Sequence, residues 1–340
     1  MAEKLDYSNL GFAYHTPDKR YVSNYKNGAW DEGGLSSDSN VVLNESAGIL
    51  QYCQQVFEGL KAYRWKDGSV VCFRPDLNAE RMFHSAAFLE MPSFPVERFL
   101  SALDEVVRAN VDSVPPYGTG GSLYIRPYLF ASGIVIGVQP AEEYQFRMFS
   151  TPVGPYFKGG ATPIALMVSD FDRAAPHGTG AVKAGLNYAM SLHSHEIAKE
   201  RGFAENIYLD AAKREFVEET GGANILFVDK EGKLVIPKSE SILPSITRRS
   251  LIYVAEHILH IPVEERQVRF SEVPDFMECG LCGTAAVISP VGKIRDHERE
   301  ILFPSGMEKP GEVMAKLYET LSGMQNGEIP APEGWIRKIL

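Results

Sequence analysis

The chain has 340 residues, long enough for two domains that each bury a core. Its 44% hydrophobic and 23% charged residues are ordinary for a folded protein and exclude a disordered or collagen-like chain. With 34 basic against 44 acidic side chains the formal net charge is −10, which disfavours nucleic acid and anionic membrane as partners but says nothing against small anions.

Four cysteines, Cys53, Cys72, Cys279 and Cys282, are too few for a disulfide framework. The opening MAEKLDYSNL carries charge and no apolar run, so no signal peptide and a cytoplasmic location are expected. Apolar runs such as Ile134 to Ile136 fall far short of the roughly 18 residues of a membrane span.

In chain order, strands are expected over 59–65 and 69–73, joined at Lys66-Asp67-Gly68, because Asp-Gly favours a tight hairpin. Helices are expected over 78–90 and 96–111; in the second, Phe99, Leu100, Leu103, Val106 and Val107 recur at helical spacing. Strands follow over 122–130 and 144–151. The segment PVGPYFKGGATP, 152–163, is half Gly and Pro and reads as a linker. Beyond it, strands are expected over 163–169, 206–210, 224–229, 233–237 and 284–289. Helices are expected over 187–200, 246–259 and 311–324, the middle one capped by Ser245. The picture is mixed α/β in two domains: 1–151, a linker region 152–171, and 172–340.

Several motifs fail. Gly178-Thr179-Gly180 lacks the Gly-Lys-Ser/Thr end of a phosphate loop, and Gly118 to Gly121 lacks a strand-to-helix setting. Cys279 and Cys282 have zinc spacing, but the other two cysteines lie far upstream, so buried thiols are the better reading. His193 and His195 are two apart on an expected helix and point to different faces. No metal site is expected.

Charge spacing is more informative. Between Arg173 and Glu196 the one charged residue is Lys183, set among small and apolar neighbours. Desolvation would make such a lysine a nucleophile for carbonyls, although spacing alone favours a surface lysine on a flexible loop. Lys158 is similarly isolated between Arg147 and Asp170, and spacing does not choose between them. The amides of Ile246 and Thr247, behind Ser245, suit an anion. Glu218 and Glu219 precede a Gly221-Gly222 turn that enters a strand; alone, this reads equally as a solvated hairpin.

Together these segments carry a resemblance. They include Tyr52 with Phe57-Glu58-Gly59-Leu60-Lys61-Ala62-Tyr63; Phe73-Arg74-Pro75 with Asn78 and Arg81-Met82; and Gly121-Ser122-Leu123-Tyr124-Ile125-Arg126-Pro127. Further along are Pro152-Val153-Gly154-Pro155-Tyr156-Phe157; Lys183 with Asn187-Tyr188; Glu219, Gly221 and Asn224; Leu243-Pro244 with Ile246-Thr247-Arg248; and Gly283-Thr284-Ala285. The chain resembles the branched-chain amino-acid aminotransferases, pyridoxal 5′-phosphate (PLP) enzymes of fold type IV.

That resemblance implies a two-domain fold with the active site between the domains, and a homodimer. Lys183 would be the Schiff-base lysine. Glu219 would pair with the pyridine nitrogen, and Tyr188 would bond the ring oxygen. Arg81, the Ile246 and Thr247 amides, and Thr284 would hold the phosphate. Tyr52, Phe57, Tyr124, Arg126, Tyr156, Gly222, Thr284 and Ala285 would form the substrate pocket, with Arg126 and the Tyr52 and Tyr124 hydroxyls meeting the second carboxylate of glutamate. The implied reaction is ping-pong transamination of Leu, Ile or Val with 2-oxoglutarate. The chain departs from the family pattern at Leu186, where a glycine is usual, at Thr220, and at Gly222, and Ala286 and Ser289 stand where some relatives carry a Cys-x-x-Cys pair. Leu186 and Gly222 prompt one alternative, an enzyme of this fold with aromatic or other shifted preference, beside a D-amino-acid aminotransferase; a second class, a non-catalytic PLP-binding relative, is opposed by the presence of Lys183, Glu219, Tyr188 and Arg81.

Overall fold

The structure is a computed structural model that describes residue 7, residues 10–154 and residues 162–340. Its contacts divide the described chain into two units. The first holds residues 7 and 10–154, Val182–Leu186 and Met324–Leu340; the second holds 162–181 and Asn187–Gly323. The expected boundaries at 151 and 171 thus miss two returns of the chain to the first unit. Pro152 and Val153, assigned to the linker by composition, end a strand, and Ile164–Val168 is a strand of the second unit.

The first unit is built on a nine-stranded antiparallel sheet. Its main path runs Ile336–Lys338, Val70–Phe73, Leu60–Arg64, Ser122–Ala131, Tyr144–Val153, Arg20–Lys26 and Ala29–Trp30. Gly34–Ser36 and Gln55–Phe57 pair beside it. The 60–64 and 70–73 strands meet across the expected Asp-Gly turn, with Gly68 at φ 87°. Side chains alternate along each strand. Leu60, Ala62, Val70, Cys72, Leu123, Ile125, Phe146 and Met148 all join one buried core, completed by Ala79, Met82, Phe99 and Leu103 of helices Pro75–Phe88 and Val96–Ala109. The opposite face keeps Tyr124, Arg126 and Tyr128.

The second unit contains a ten-stranded sheet. Strands Asn224–Val228, Glu278–Gly283, Val287–Asp296, Ile164–Val168, Glu205–Leu209 and Phe216–Thr220 pair in that order. A further pairing, Glu219 opposite Asn224, joins the last to the first and closes a ring. Most pairs are antiparallel; Ile164–Val168 runs parallel to both of its neighbours. Leu166, Ile207, Val217, Ile225, Phe227, Leu281 and Val291 share its core.

Two sequence expectations are corrected here. The strand placed over 284–289 is instead two strands, Glu278–Gly283 and Val287–Asp296, with 284–286 as the turn between them. The helix expected over 246–259 is α-helical over Ile246–Tyr253 and then widens to a π-helical turn over Val254–Ile258. Among the described residues no helix is long and apolar enough to cross a membrane.

Candidate active site

In the first unit the chain returns at Val182–Leu186 to lay Lys183 on the sheet. Val182 and Ala184 are buried in the core, and Leu186 packs against it. The Lys183 N–H donates to Ser85 Oγ at 3.2 Å, and its carbonyl accepts from Phe57 N at 3.1 Å. Val56 bridges Ala184. With its main chain fixed on both sides, Lys183 holds Nζ 4.8 Å from the Phe57 ring centre. The Arg126 guanidinium lies 4.8 Å from the same ring and donates to the Tyr124 hydroxyl at 2.8 Å. Phe57, Tyr124, Arg126 and Lys183 therefore form one cluster of two cations on aromatic rings. Lys61, opposite Tyr124 in the sheet, is pulled down to about 8 by burial.

Leucine at 186 is thus accounted for by core packing. At the neighbouring Gly185 a Cβ would meet only the end of the Gln55 side chain, which would have to turn aside. Tyr52 ends the short helix Gly48–Tyr52, is partly exposed, and its hydroxyl donates to the Ile136 carbonyl. Tyr156 and Lys158 lie outside the described residues.

Arg81 sits one turn before Ser85 on helix Pro75–Phe88, on the same face. Its Nε and Nη2 donate to the two oxygens of Glu58 at 2.7 and 2.8 Å. Sequence reasoning gave Glu58 and Ser85 no role.

The second unit is arranged around Glu219. Its carboxylate is buried and receives Arg173 Nη2 at 2.7 Å, Leu243 N at 2.9 Å and Asn224 Nδ2 at 2.6 Å. Burial pushes Glu219 up to about 7, against the opposing pull of Arg173 and the two hydrogen bonds. Arg173 also donates to the Gly180 and Ser241 carbonyls. Its Nε is buried with no acceptor among the described residues. Of the two readings of this segment, the solvated hairpin fails, because both carboxylates are buried: Glu218, on the other face of the strand, accepts from Ser239 and Ser241.

Helix Ile246–Tyr253 begins as expected, with Ser245 Oγ accepting from Arg248 N at 3.1 Å. The amides of Ile246 and Thr247 have no acceptor within the helix. Thr284 and Ala285 occupy the turn before Val287, whose φ of 63° is rare for a β-branched residue. Tyr188 is half-buried on helix Gly185–Glu200. Next to it, Asn187 exchanges hydrogen bonds with Thr179, at 2.7 and 2.8 Å; the rejected Gly178 to Gly180 loop is a structural turn. Gly222 is exposed, and a Cβ there would meet only Glu205 Oε2, at 3.9 Å.

Other candidates stay outside this chemistry. Cys279 and Cys282 are buried free thiols, and burial pushes Cys282 up to about 12. His193 packs on Phe171 while His195 faces Glu205 at 3.5 Å. Among the described residues no group of three or more His, Cys, Asp or Glu side chains is placed to hold a metal.

The model for amino-transferase class IV matches residues 55–294. The chain belongs to the class IV amino-transferases. It is 49% identical over 340 residues to the branched-chain-amino-acid aminotransferase of Haemophilus influenzae, covering 98% of this chain and 99% of the relative. Among solved structures, the branched-chain amino acid aminotransferase of Escherichia coli matches at a TM-score of 0.80 and 28% identity, over 95% of this chain and all of the other. The Thermobaculum terrenum branched-chain amino acid aminotransferase, solved in its PLP form, matches at a TM-score of 0.79 and 25% identity, over 96% of this chain and 100% of the other. The fold is the fold-type-IV fold of these enzymes.

The donor set fits pyridoxal 5′-phosphate. An aldehyde calls for a lysine, a pyridine nitrogen for a carboxylate, and a phosphate for an arginine fork and helix-end amides. Lys183, Glu219, Arg81 and the start of helix Ile246–Tyr253 are of those kinds. The unmet donor on Arg173 lies beside the carboxylate.

Proposed function

We infer that this chain is a PLP-dependent aminotransferase that moves the amino group of leucine, isoleucine or valine to 2-oxoglutarate, yielding the branched-chain 2-oxo acid and L-glutamate. The observation that carries this reading is the family's lysine motif, Lys183 with Asn187-Tyr188, folded so that the Lys183 ammonium lies 4.8 Å from Phe57. Bound PLP supplies an aldehyde carbon that takes and returns the amino group, and a protonated ring that spreads negative charge from the substrate Cα.

We assign the residues as follows. Lys183 would hold the cofactor through Nζ, and its freed amine would move a proton at the substrate Cα as base and acid. Glu219, whose anionic form Arg173, Leu243 N and Asn224 favour, would hold the ring nitrogen's proton. Tyr188 donates to the ring oxygen. Arg81, the Ile246 and Thr247 amides, and Thr284 take the phosphate. The Thr284 and Ala285 amides take the substrate α-carboxylate. Phe57, Tyr124, Tyr52 and Tyr156 wall the side-chain pocket, with Gly222 leaving room, and each methylene buried there is worth about 0.8 kcal/mol. The second carboxylate of glutamate meets Arg126 and the Tyr52 and Tyr124 hydroxyls, since a buried carboxylate needs partners. The working form is a homodimer.

A coupled assay with leucine and 2-oxoglutarate tests the activity. The purified protein should show a visible cofactor band, and Lys183→Ala should lose the band and at least about a thousandfold in kcat. A band that persists in Lys183→Ala refutes the assignment of the lysine. A panel of leucine, phenylalanine and D-alanine tests the substrate, and with it the shifted preference that Leu186 and Gly222 prompt.

A further inference from the structure

Glu58 has no solvent exposure at all. A buried carboxylate needs partners, and here they are specific. Oε1 accepts from Arg81 Nε at 2.7 Å, and Oε2 accepts from Arg81 Nη2 at 2.8 Å and from Asn78 Nδ2 at 2.8 Å. The Gly59 amide adds a longer contact to Oε2, at 3.3 Å. Asn78 and Arg81 are three apart on helix Pro75–Phe88, so both face Glu58.

The main chain on either side is fixed as well. Glu58 N donates to the Pro127 carbonyl at 2.7 Å, and Phe57 N donates to the Lys183 carbonyl at 3.1 Å. Two consecutive residues thus clamp the Lys183 backbone and the Arg81 side chain. The Glu58 pair occupies the Nε–Nη2 edge of the guanidinium, which turns the Nη1 edge away from Glu58. An arginine held in a planar fork loses less side-chain freedom when it takes up an anion.

We propose that Glu58 is a positioning residue for Arg81, fixing its guanidinium in the orientation that receives the phosphate of pyridoxal 5′-phosphate. This rests on the assignment of Arg81 to the phosphate. Glu58 acts on the phosphate end of the cofactor and leaves the aldehyde and ring to other groups. Its loss should therefore be felt by PLP and not by pyridoxal, which keeps the aldehyde and ring and lacks the phosphate.

The experiment titrates cofactor-free protein with PLP and with pyridoxal, following the visible band. Glu58→Gln keeps the shape and removes the charge. It should raise the Kd for PLP about tenfold or more and leave that for pyridoxal unchanged. Arg81→Gln should do the same, and the double variant should be no worse than Arg81→Gln alone. Equal weakening of both ligands by Glu58→Gln, or no weakening of either, overturns the proposal while the Arg81 result stands. An Arg81→Gln protein that binds PLP normally overturns the phosphate assignment itself. The melting temperature of each cofactor-free variant is the check on folding. Should Glu58→Gln fail that check, Glu58→Asp, which withdraws the charge by one methylene, is read against the same outcomes.

Discussion

Glu219 carries two demands that pull against each other. Burial favours its neutral form, while Arg173, Leu243 N and Asn224 favour the anion, and the balance leaves it at about 7. The folded protein therefore binds a proton here between about pH 4.5 and 7 that the unfolded chain has released. Stability from this group is present below the unfolded value and is lost as pH rises through the folded one. Glu219→Gln cannot titrate. The melting temperature of cofactor-free wild type should fall relative to Glu219→Gln as pH rises from about 5 to 7, by up to about 3 kcal/mol in stability, and level off above about 8. Parallel melting curves across that range would show that Glu219 does not titrate there. The isolation of Lys183 was legible as charge spacing, though Lys158 shared it and only the surrounding motif chose. Arg173, Asn224 and Glu58 were not legible in their roles. Arg173 and Glu219 lie far apart in the chain, and a hydrogen-bonded pair of that kind leaves no periodic trace. Arg173 did mark one end of the charge-poor stretch, which was a usable signal.

At the scale of elements, local chemistry told most where it was strongest. The Asp67-Gly68 turn and the amphipathic helix Val96–Ala109 formed as read, because turn geometry and apolar period are properties of neighbouring residues. Strand Glu278–Gly283 escaped notice because ECGLCG has two glycines and no β-branched residue; its place is fixed by pairing with Asn224–Val228 and Val287–Asp296. The terminal strand Ile336–Lys338 is held in the same way, antiparallel to Val70–Phe73. Arg337 makes a two-pronged bond to Asp104 at 2.8 and 2.9 Å. The Trp335 ring lies against Phe73 and 4.3 Å from the Arg74 guanidinium, and Ile339 joins the core. Removing residues 335–340 should cost about 3–6 kcal/mol from the Trp335 and Ile339 side chains alone. It should also bare the edge of Val70–Phe73 to pairing between molecules. Thermal melting and light scattering check this; an unchanged melting temperature would mean that the last strand is dispensable.

For the molecule as a whole, composition offered the Gly- and Pro-rich segment as its one mark of a division and carries no trace of the returns at Val182–Leu186 and Met324–Leu340. Those returns depend on strand pairing and core packing between distant segments, to which a window of composition is blind. Assembly is the remaining question at this scale. Ile134, Ile136 and Val138 stand 69%, 73% and 91% exposed within five residues, beside Val42 at 93% elsewhere in the same unit. Isolated apolar side chains on a surface are ordinary, but a cluster of them favours being covered, and we propose this loop as the place where two copies meet. The Ile136 carbonyl receives the Tyr52 hydroxyl, so a second chain covering this loop would also steady a residue assigned to the substrate. Burying the three side chains in both copies favours association, and two charges introduced there oppose it. Wild type should therefore sediment as two chains at micromolar concentration, and Ile134→Asp with Ile136→Asp as one. The separated chain should keep its visible cofactor band, because no residue assigned to the cofactor lies in that loop. It should show a raised KM for leucine through the loss of support at Tyr52. Wild type that sediments as a single chain, or a double variant that remains paired with an unchanged KM, would remove this loop from the dimer contact.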